Sequence, residues 1–240
     1  MKVFLASYLI FPELRASLER EGQVVLIGNN PFLPCPEASH ADMQVYDRGD
    51  GELIVKNGFD KDAADRLARL GFTITYTGSK TYQKYPECAS MNVLKCGNYI
   101  LHKFTITDPL IVNDISMKNQ IAVSVSQGYT GCSSVYVDFL DLMITGDPSV
   151  ISKASSHSFN LYKIDEAVTD KILLPGHDHG FIGGVCGYDD EDRTLYVNGD
   201  LEKTVPDLFF FLRSAGISIR QCDKRSCLFD IGGIKIIRSR

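Results

Sequence analysis

The feature that most constrains this chain is a repeat. A helical stretch running into a short strand recurs in residues 18–27, 67–76, 115–125, 154–164 and 211–220, and such self-similarity decides a fold before any single motif does. Pro12, Asp60, Asp108-Pro109, Asp147-Pro148 and Pro206 each open one of these helices, the expected chemistry of N-caps and first turns. Gly22, Gly71 and Gly216 stand where a helix would end in a left-handed cap. Between the helical units lies a hairpin whose copies begin at residues 42, 90, 133 and 184, each with turn residues between apolar or β-branched runs. A fifth copy, residues 233–237, has a first strand and no second; the missing strand is residues 2–6 at the other end of the chain. These spacings predict one α/β domain over residues 1–240. It is a five-unit propeller of strand-strand-helix-strand repeats, closed by pairing of the N- and C-terminal strands, which leaves no open sheet edge. The competing architecture is an α/β sandwich whose segments are evenly spaced by chance.

Composition narrows the partners. An apolar fraction of 44% in 240 residues is enough for a sizeable core. The net charge of -5, without a basic run, argues against nucleic acid and anionic membrane. No apolar run approaches the roughly 20 residues of a membrane span. The apolar start is followed by Glu13, Arg15, Glu19, Arg20 and Glu21, so no export signal is read. Seven cysteines without a CxxC pair fit reduced thiols in the cytoplasm better than a disulfide framework or a zinc knuckle.

A ring of five such units resembles the pentein fold, also called the guanidino-group-modifying-enzyme (GME) fold. Arginine deiminases, agmatine deiminases, dimethylarginine hydrolases and the non-catalytic initiation factor six share it. The chain looks most like an uncharacterised bacterial family of that fold. The resemblance covers its whole length and rests on residues 40–44 (HADMQ), 85–93 (YPECASMNV), 107–109 (TDP), 127–132 (QGYTGC), 180–184 (GFIGG) and 230–233 (DIGG). It implies a site in which a cysteine thiolate attacks a guanidinium carbon, a histidine protonates the departing amine and carboxylates grip the cation by paired hydrogen bonds. The family nucleophile belongs on the first hairpin strand of the last unit, where this chain has Gly232-Gly233, and Cys227 lies too far upstream to replace it. The acidic motif of the second unit aligns with residues 90–94, where Asn92 replaces the acid and Glu87 lies nearby. His179 falls close to the place of the family histidine. The usual guanidine-hydrolysing site is therefore not intact.

Loops preceding the first hairpin strands should converge near the ring axis, because the units are related by rotation. Cys132, His40 and Asp42 form the candidate catalytic group. His40 and Asp42 flank Ala41 and would face the same way on an extended strand, so His40 can act as base and lower the ionisation of Cys132 below the ordinary value of about 8.5. Gln44, Glu87, Asn92, Tyr129 and His179 are the candidate ligand-binding neighbours. His177, Asp178 and His179 are metal-ligand types, but a third ligand such as His40 would have to come from elsewhere, so neither a metal nor another cofactor is expected. The glycines of residues 180–184 precede a strand, unlike a phosphate-binding loop. The run Asp189, Asp190, Glu191, Asp192 reads as a solvated hairpin turn. Cys35 and Cys186 are weaker nucleophile candidates with no adjacent base, and His102 and His157 read as structural or solvated. Two function classes follow: a protein that binds or modifies a small guanidino or amino-acid-like molecule at the axis, and a non-catalytic interaction module like initiation factor six. Oligomeric state stays open.

Overall fold

The computed structural model describes residues 1–78, 83–222 and 227–239. Its strands, in chain order, are β1 (Lys2–Ser7), β2 (Gln23–Ile27), β3 (Val45–Gly49), β4 (Glu52–Val55), β5 (Thr73–Tyr76), β6 (Leu94–Cys96), β7 (Tyr99–His102), β8 (Ile121–Ser124) and β9 (Ser134–Val137). They continue as β10 (Leu142–Thr145), β11 (Asn160–Lys163), β12 (Ile172–Leu173), β13 (Cys186–Asp189), β14 (Thr194–Val197), β15 (Ser218–Arg220), β16 (Leu228–Phe229) and β17 (Ile234–Arg238). The result is a mixed α/β fold of small sheets. Five three-stranded sheets have the orders β17-β1-β2, β3-β4-β5, β6-β7-β8, β9-β10-β11 and β13-β14-β15. In each, the first pair is antiparallel and the second parallel, with a crossover helix between the parallel strands. The first strands neighbour one another: β17 packs beside β13 and β3, β13 beside β9, and β9 beside β6.

The crossover helices begin where the proline and aspartate signals put them. Asp60 accepts from the Asp62 and Ala63 amides, Asp108 from Leu110, and Asp147 from Ser149 and Val150; each such cap is worth about 1 kcal/mol. Gly71 and Gly216 adopt positive φ after their helices, and Asn119 and Ser158 do so in the third and fourth units. Gly22 departs from that expectation. Its backbone is not left-handed; a Cβ there would lie 2.8 Å from the Lys2 carbonyl oxygen, so close approach of β1 is what requires glycine.

The terminal strands pair antiparallel from Lys2↔Arg238 to Ala6↔Ile234, which makes β1 the central strand of its sheet. Val3 and Leu5 pack on one side with Val25, Leu53 and Leu67, while Phe4 and Ala6 pack on the other with Leu14, Leu18 and Ile231. Being buried on both faces, β1 reads as a continuous apolar run. The acidic hairpin turn is not simply solvated. Asp189 is buried, accepts from Arg238 at 2.6 Å and forms an ion pair with Lys2 at 2.8 Å, while Asp192 pairs with Lys2 and Glu191 with Arg238. Burial alone would raise the Asp189 carboxyl, but these two cations hold it below the ordinary range.

The expected hairpin strands begin later than residues 42, 90, 133 and 184. Short turns come first: α-helical at Ala41–Gln44, Thr130–Ser133 and Ile182–Val185, and 3-10 at Glu87–Ala89. Small residues there allow the turns to pack against each other, which an alternating-strand reading does not anticipate. The two-stranded parallel sheet β12-β16 was not anticipated either. Among the described residues no helix is long and apolar enough to cross a membrane.

If β1 is the structural centre, Leu5→Ala should lower unfolding free energy by about 2–5 kcal/mol, and deletion of residues 1–6 should abolish soluble folded protein. Denaturant titration and circular dichroism measure both; a deletion variant with unchanged melting would refute the role given to β1.

Candidate functional site

The short turns aim side chains at one place. His40, Tyr129 and Phe181 occupy the N-cap positions of the turns in the first, third and fourth units, and Asp230 precedes the Gly232-Gly233 bend of the fifth. All four line one cavity of about 230 Å³, together with Glu37, Cys132 and residues 177–179. The backbone holds Asp230 there, since its amide donates to the Leu173 carbonyl at 2.9 Å where the β12-β16 sheet ends. A second cavity of about 240 Å³, bordered by Asp42 and by the first strands of all five sheets, lies along the other side of the Asp42 carboxylate.

Between the two sits a buried polar group. The Cys132 thiol donates to Asp42 Oδ2 at 2.7 Å. Asn92 grips the same cysteine twice: its Nδ2 donates to Sγ at 3.1 Å and its Oδ1 accepts the Cys132 amide at 3.0 Å. Donor atoms of His40, Asp42 and Cys132 all lie within 4.8 Å of one another. His40 is 1% exposed and Asp42 6%, yet both imidazole nitrogens and Asp42 Oδ1 have no hydrogen-bond partner. Such buried polar atoms are costly and uncommon. Asp230 Oδ1 accepts the Gly232 amide at 2.9 Å and lies 3.9 Å from His40 Nδ1, while Oδ2 accepts the Phe181 amide at 2.8 Å. Glu37 Oε1 accepts from Tyr129 at 3.2 Å and pairs with His177 Nε2 at 2.8 Å; Oε2 is buried without a partner.

Burial sets the protonation states. It pushes Cys132 well up, and the Asp42 and Asp230 carboxylates push in the same direction. Burial raises Asp42 and lowers His40, in each case against the attraction of the other. Asp230, desolvated despite its two backbone donors, is raised to about 6. At neutral pH the group is thus a thiol beside a neutral imidazole, the opposite of a thiolate–imidazolium pair. The expectation that His40 lowers the ionisation of Cys132 is corrected: no hydrogen bond joins them, and the thiol proton goes to Asp42.

The sequence-predicted residues divide accordingly. His40, Asp42, Cys132 and Asn92 come together, although His40 and Asp42 bracket the start of a helical turn and do not share an extended strand. Tyr129 and His179 line the cavity, with His179 Nδ1 beside the Gly180 carbonyl at 3.0 Å. Gln44 is buried and donates to the Ala38 and Gly28 carbonyls, a loop-holding role. Glu87 is exposed and does not line the cavity. His177, Asp178 and His179 do not converge as a ligand set, because His177 turns to Glu37. His102 is structural as expected, bonded to Thr107 at 2.7 Å and Gly128 at 2.9 Å. Glu37 and Asp230 were missed. Asp230 carried a signal, since it precedes the fifth-unit bend as His40 precedes the first-unit turn; Glu37 carried one too, since Pro36-Glu37 stands before Asp42 at the spacing of Pro86-Glu87 before Asn92, each glutamate in a 3-10 turn.

Residues 5–235 match the family of unknown function DUF6873, and the chain belongs to that family. No curated protein matches the sequence. Among solved structures it is similar to DDAH from Pseudomonas aeruginosa, a cysteine-to-serine mutant complexed with citrulline, with a TM-score of 0.56 and 10% identity over 93% of this chain and 92% of that one. It is also similar to the N-terminal domain of ArgZ, an asparagine-to-serine variant covalently bonded to a reaction intermediate, with a TM-score of 0.55 and 11% identity over 92% and 90%. The product-bound form of that domain, from an arginine dihydrolase of the ornithine–ammonia cycle in Cyanobacteria, gives 0.54 at 11% identity over the same shares. DDAH and ArgZ are pentein-fold enzymes, and at this identity the likeness establishes the fold.

Two measurements check the electrostatics. With iodoacetamide at neutral pH, mass spectrometry should find exposed Cys35 labelled first and Cys132 among the slowest thiols; fast labelling of Cys132 would refute its protonated state. For Asp230, a folded value near 6 against an ordinary 3.8 means that the folded chain keeps a proton the unfolded chain has lost. That stabilisation is fully present below about pH 4 and lost as pH rises through about 6. Relative to Asp230→Asn, the wild type should therefore lose about 2 kcal/mol between pH 4 and 7; a difference that stays flat with pH would overturn the shift.

Proposed function

We propose that this member of DUF6873 binds a small cation of the guanidino or amino-acid type in the 230 Å³ cavity. In this reading the five sheets are blades of a ring about the axis on which the cavity opens, and the β1–β17 pair closes the ring. One observation carries the proposal: the carboxylates of Glu37 and Asp230 line the cavity, Glu37 Oε2 is buried without a donor, and no lysine or arginine is among the described lining residues. A planar cation with several N–H donors fills that need by charge-assisted bonds. Tyr129 and Phe181, with ring centroids 6.3 Å apart, supply aromatic faces against which such a cation stacks. The volume suffices for a small molecule, since a cavity of about 150 Å³ already admits benzene.

Binding is supported more directly than chemistry. The thiol of Cys132 is protonated and faces Asp42, and Gly232 stands against His40 with φ +73 and a would-be Cβ 2.2 Å from His40 Cβ. A thiol-bearing residue at Gly232 would displace the imidazole. One structural neighbour is complexed with citrulline, an amino acid of comparable size.

Isothermal titration of the metal-free protein with arginine, citrulline, methylguanidine and guanidinium tests the reading. At least one guanidino compound should bind below about 1 mM, and Glu37→Gln should weaken it by about 10–100-fold. Absence of binding by all four would remove the ligand reading and favour a non-catalytic interaction module.

A further inference from the structure

We infer that His40, Asp42 and Cys132 form a binding site for a single thiophilic divalent cation of the zinc type. This goes beyond the guanidino reading, which uses Glu37 and Asp230. Three different donor elements, an imidazole nitrogen, a carboxylate oxygen and a thiol sulfur, converge within 4.8 Å. A tetrahedral zinc ion with bonds of about 2.0–2.3 Å holds its ligands roughly 3.5 Å apart, so small side-chain movements bring all three to bonding distance. The independent sign of a ligand is His40 itself. It is 1% exposed, and neither ring nitrogen has a partner within the protein. A buried imidazole with no hydrogen bond has lost its hydration without compensation; an ion bound to one nitrogen restores it. Asp42 Oδ1, also buried and unpartnered, adds a second free acceptor at the same point.

The surroundings fit the second layer of such a site. Asp230 Oδ1 lies 3.9 Å from His40 Nδ1. It is placed to take the Nδ1 proton while Nε2 faces the ion, the carboxylate–histidine–metal arrangement that fixes the tautomer. The Asn92 amide already donates to Cys132 Sγ at 3.1 Å, a bond that a metal thiolate keeps. Binding replaces one proton by the ion: the Cys132 S–H bond breaks, its proton leaves to water, and the sulfur pair and Asp42 oxygen both bond the cation. Three protein ligands leave a fourth position, and His40 and Cys132 open it to the face cavity. The histidines at 177 and 179 are not needed as ligands.

Cobalt(II) is the probe, added to protein stripped with a chelator. One equivalent should produce the near-ultraviolet absorption of a cobalt–thiolate bond with release of a proton, and zinc should bleach it by displacement. Cys132→Ser should abolish the band, Asp42→Asn should keep it while weakening affinity at least ~10-fold, and Cys35→Ser should change nothing. X-ray absorption on the wild-type zinc form should show one sulfur at about 2.3 Å with nitrogen or oxygen neighbours at about 2.0–2.1 Å, a result that does not depend on any variant folding. No cobalt–thiolate band in the wild type, a band that survives Cys132→Ser, or two or more sulfurs around zinc would overturn the site. Guanidino titrations are run in chelator, so failure of that reading and failure of this one are separate results.

Discussion

The pairing of β1 with β17 is the interaction on which the rest depends. It joins the two ends of the chain in one sheet, with β1 central and buried on both faces. Its consequence reaches the site through the backbone, because the Asp42 amide donates to the Gly232 carbonyl at 3.1 Å. That bond ties the turn that carries His40 to the bend that follows Asp230, while the Leu173 carbonyl holds the Asp230 amide from the other side. The ion pairs of Lys2 and Arg238 with the turn at 189–192 hold the same junction from its outer end. Partly buried Asp189 pairs of this sort give register more than stability, since desolvation opposes their attraction.

Desolvation is also the dominant force on the site. The same burial that keeps Cys132 protonated keeps His40 neutral and raises Asp42 and Asp230. A solvent-poor place with three carboxylates nearby favours cations and disfavours a free thiolate. The orphaned atoms of His40, Asp42 and Glu37 are what remain when a fold positions polar groups for something outside the chain.

The pentein scaffold permits this site to differ from that of a guanidine hydrolase without a change of architecture. The turns at 41–44, 130–133 and 182–185 each place their N-cap residue at the cavity. Here the fifth unit supplies a carboxylate and two glycines, and the thiol comes from the third. Gly232 makes room for His40, which explains in steric terms why a nucleophile at that place and a buried His40 exclude each other.

The periodicity of the chain carried the element order. Prolines and aspartates mark helix starts, and the unpaired strands at 2–6 and 233–237 predict the pairing of the termini, because hydrogen-bonding demand and turn chemistry are local and can be read along a line. His40, Asp42, Asn92 and Cys132 were legible as candidates for the same reason, each lying just before a hairpin. What the sequence left open was how those loops coil. One helical turn at 41–44 and another at 130–133 bring the Cys132 thiol to Asp42 and turn Gln44 away, and the 3-10 turn at 87–89 leaves Glu87 outside the cavity. Only the tertiary structure brought Glu37 and Asp230 to the cavity, and only its burial decides the direction in which each ionisation is pushed. Desolvation depends on every neighbour within several ångströms, from all five units at once, and no stretch of sequence contains that sum.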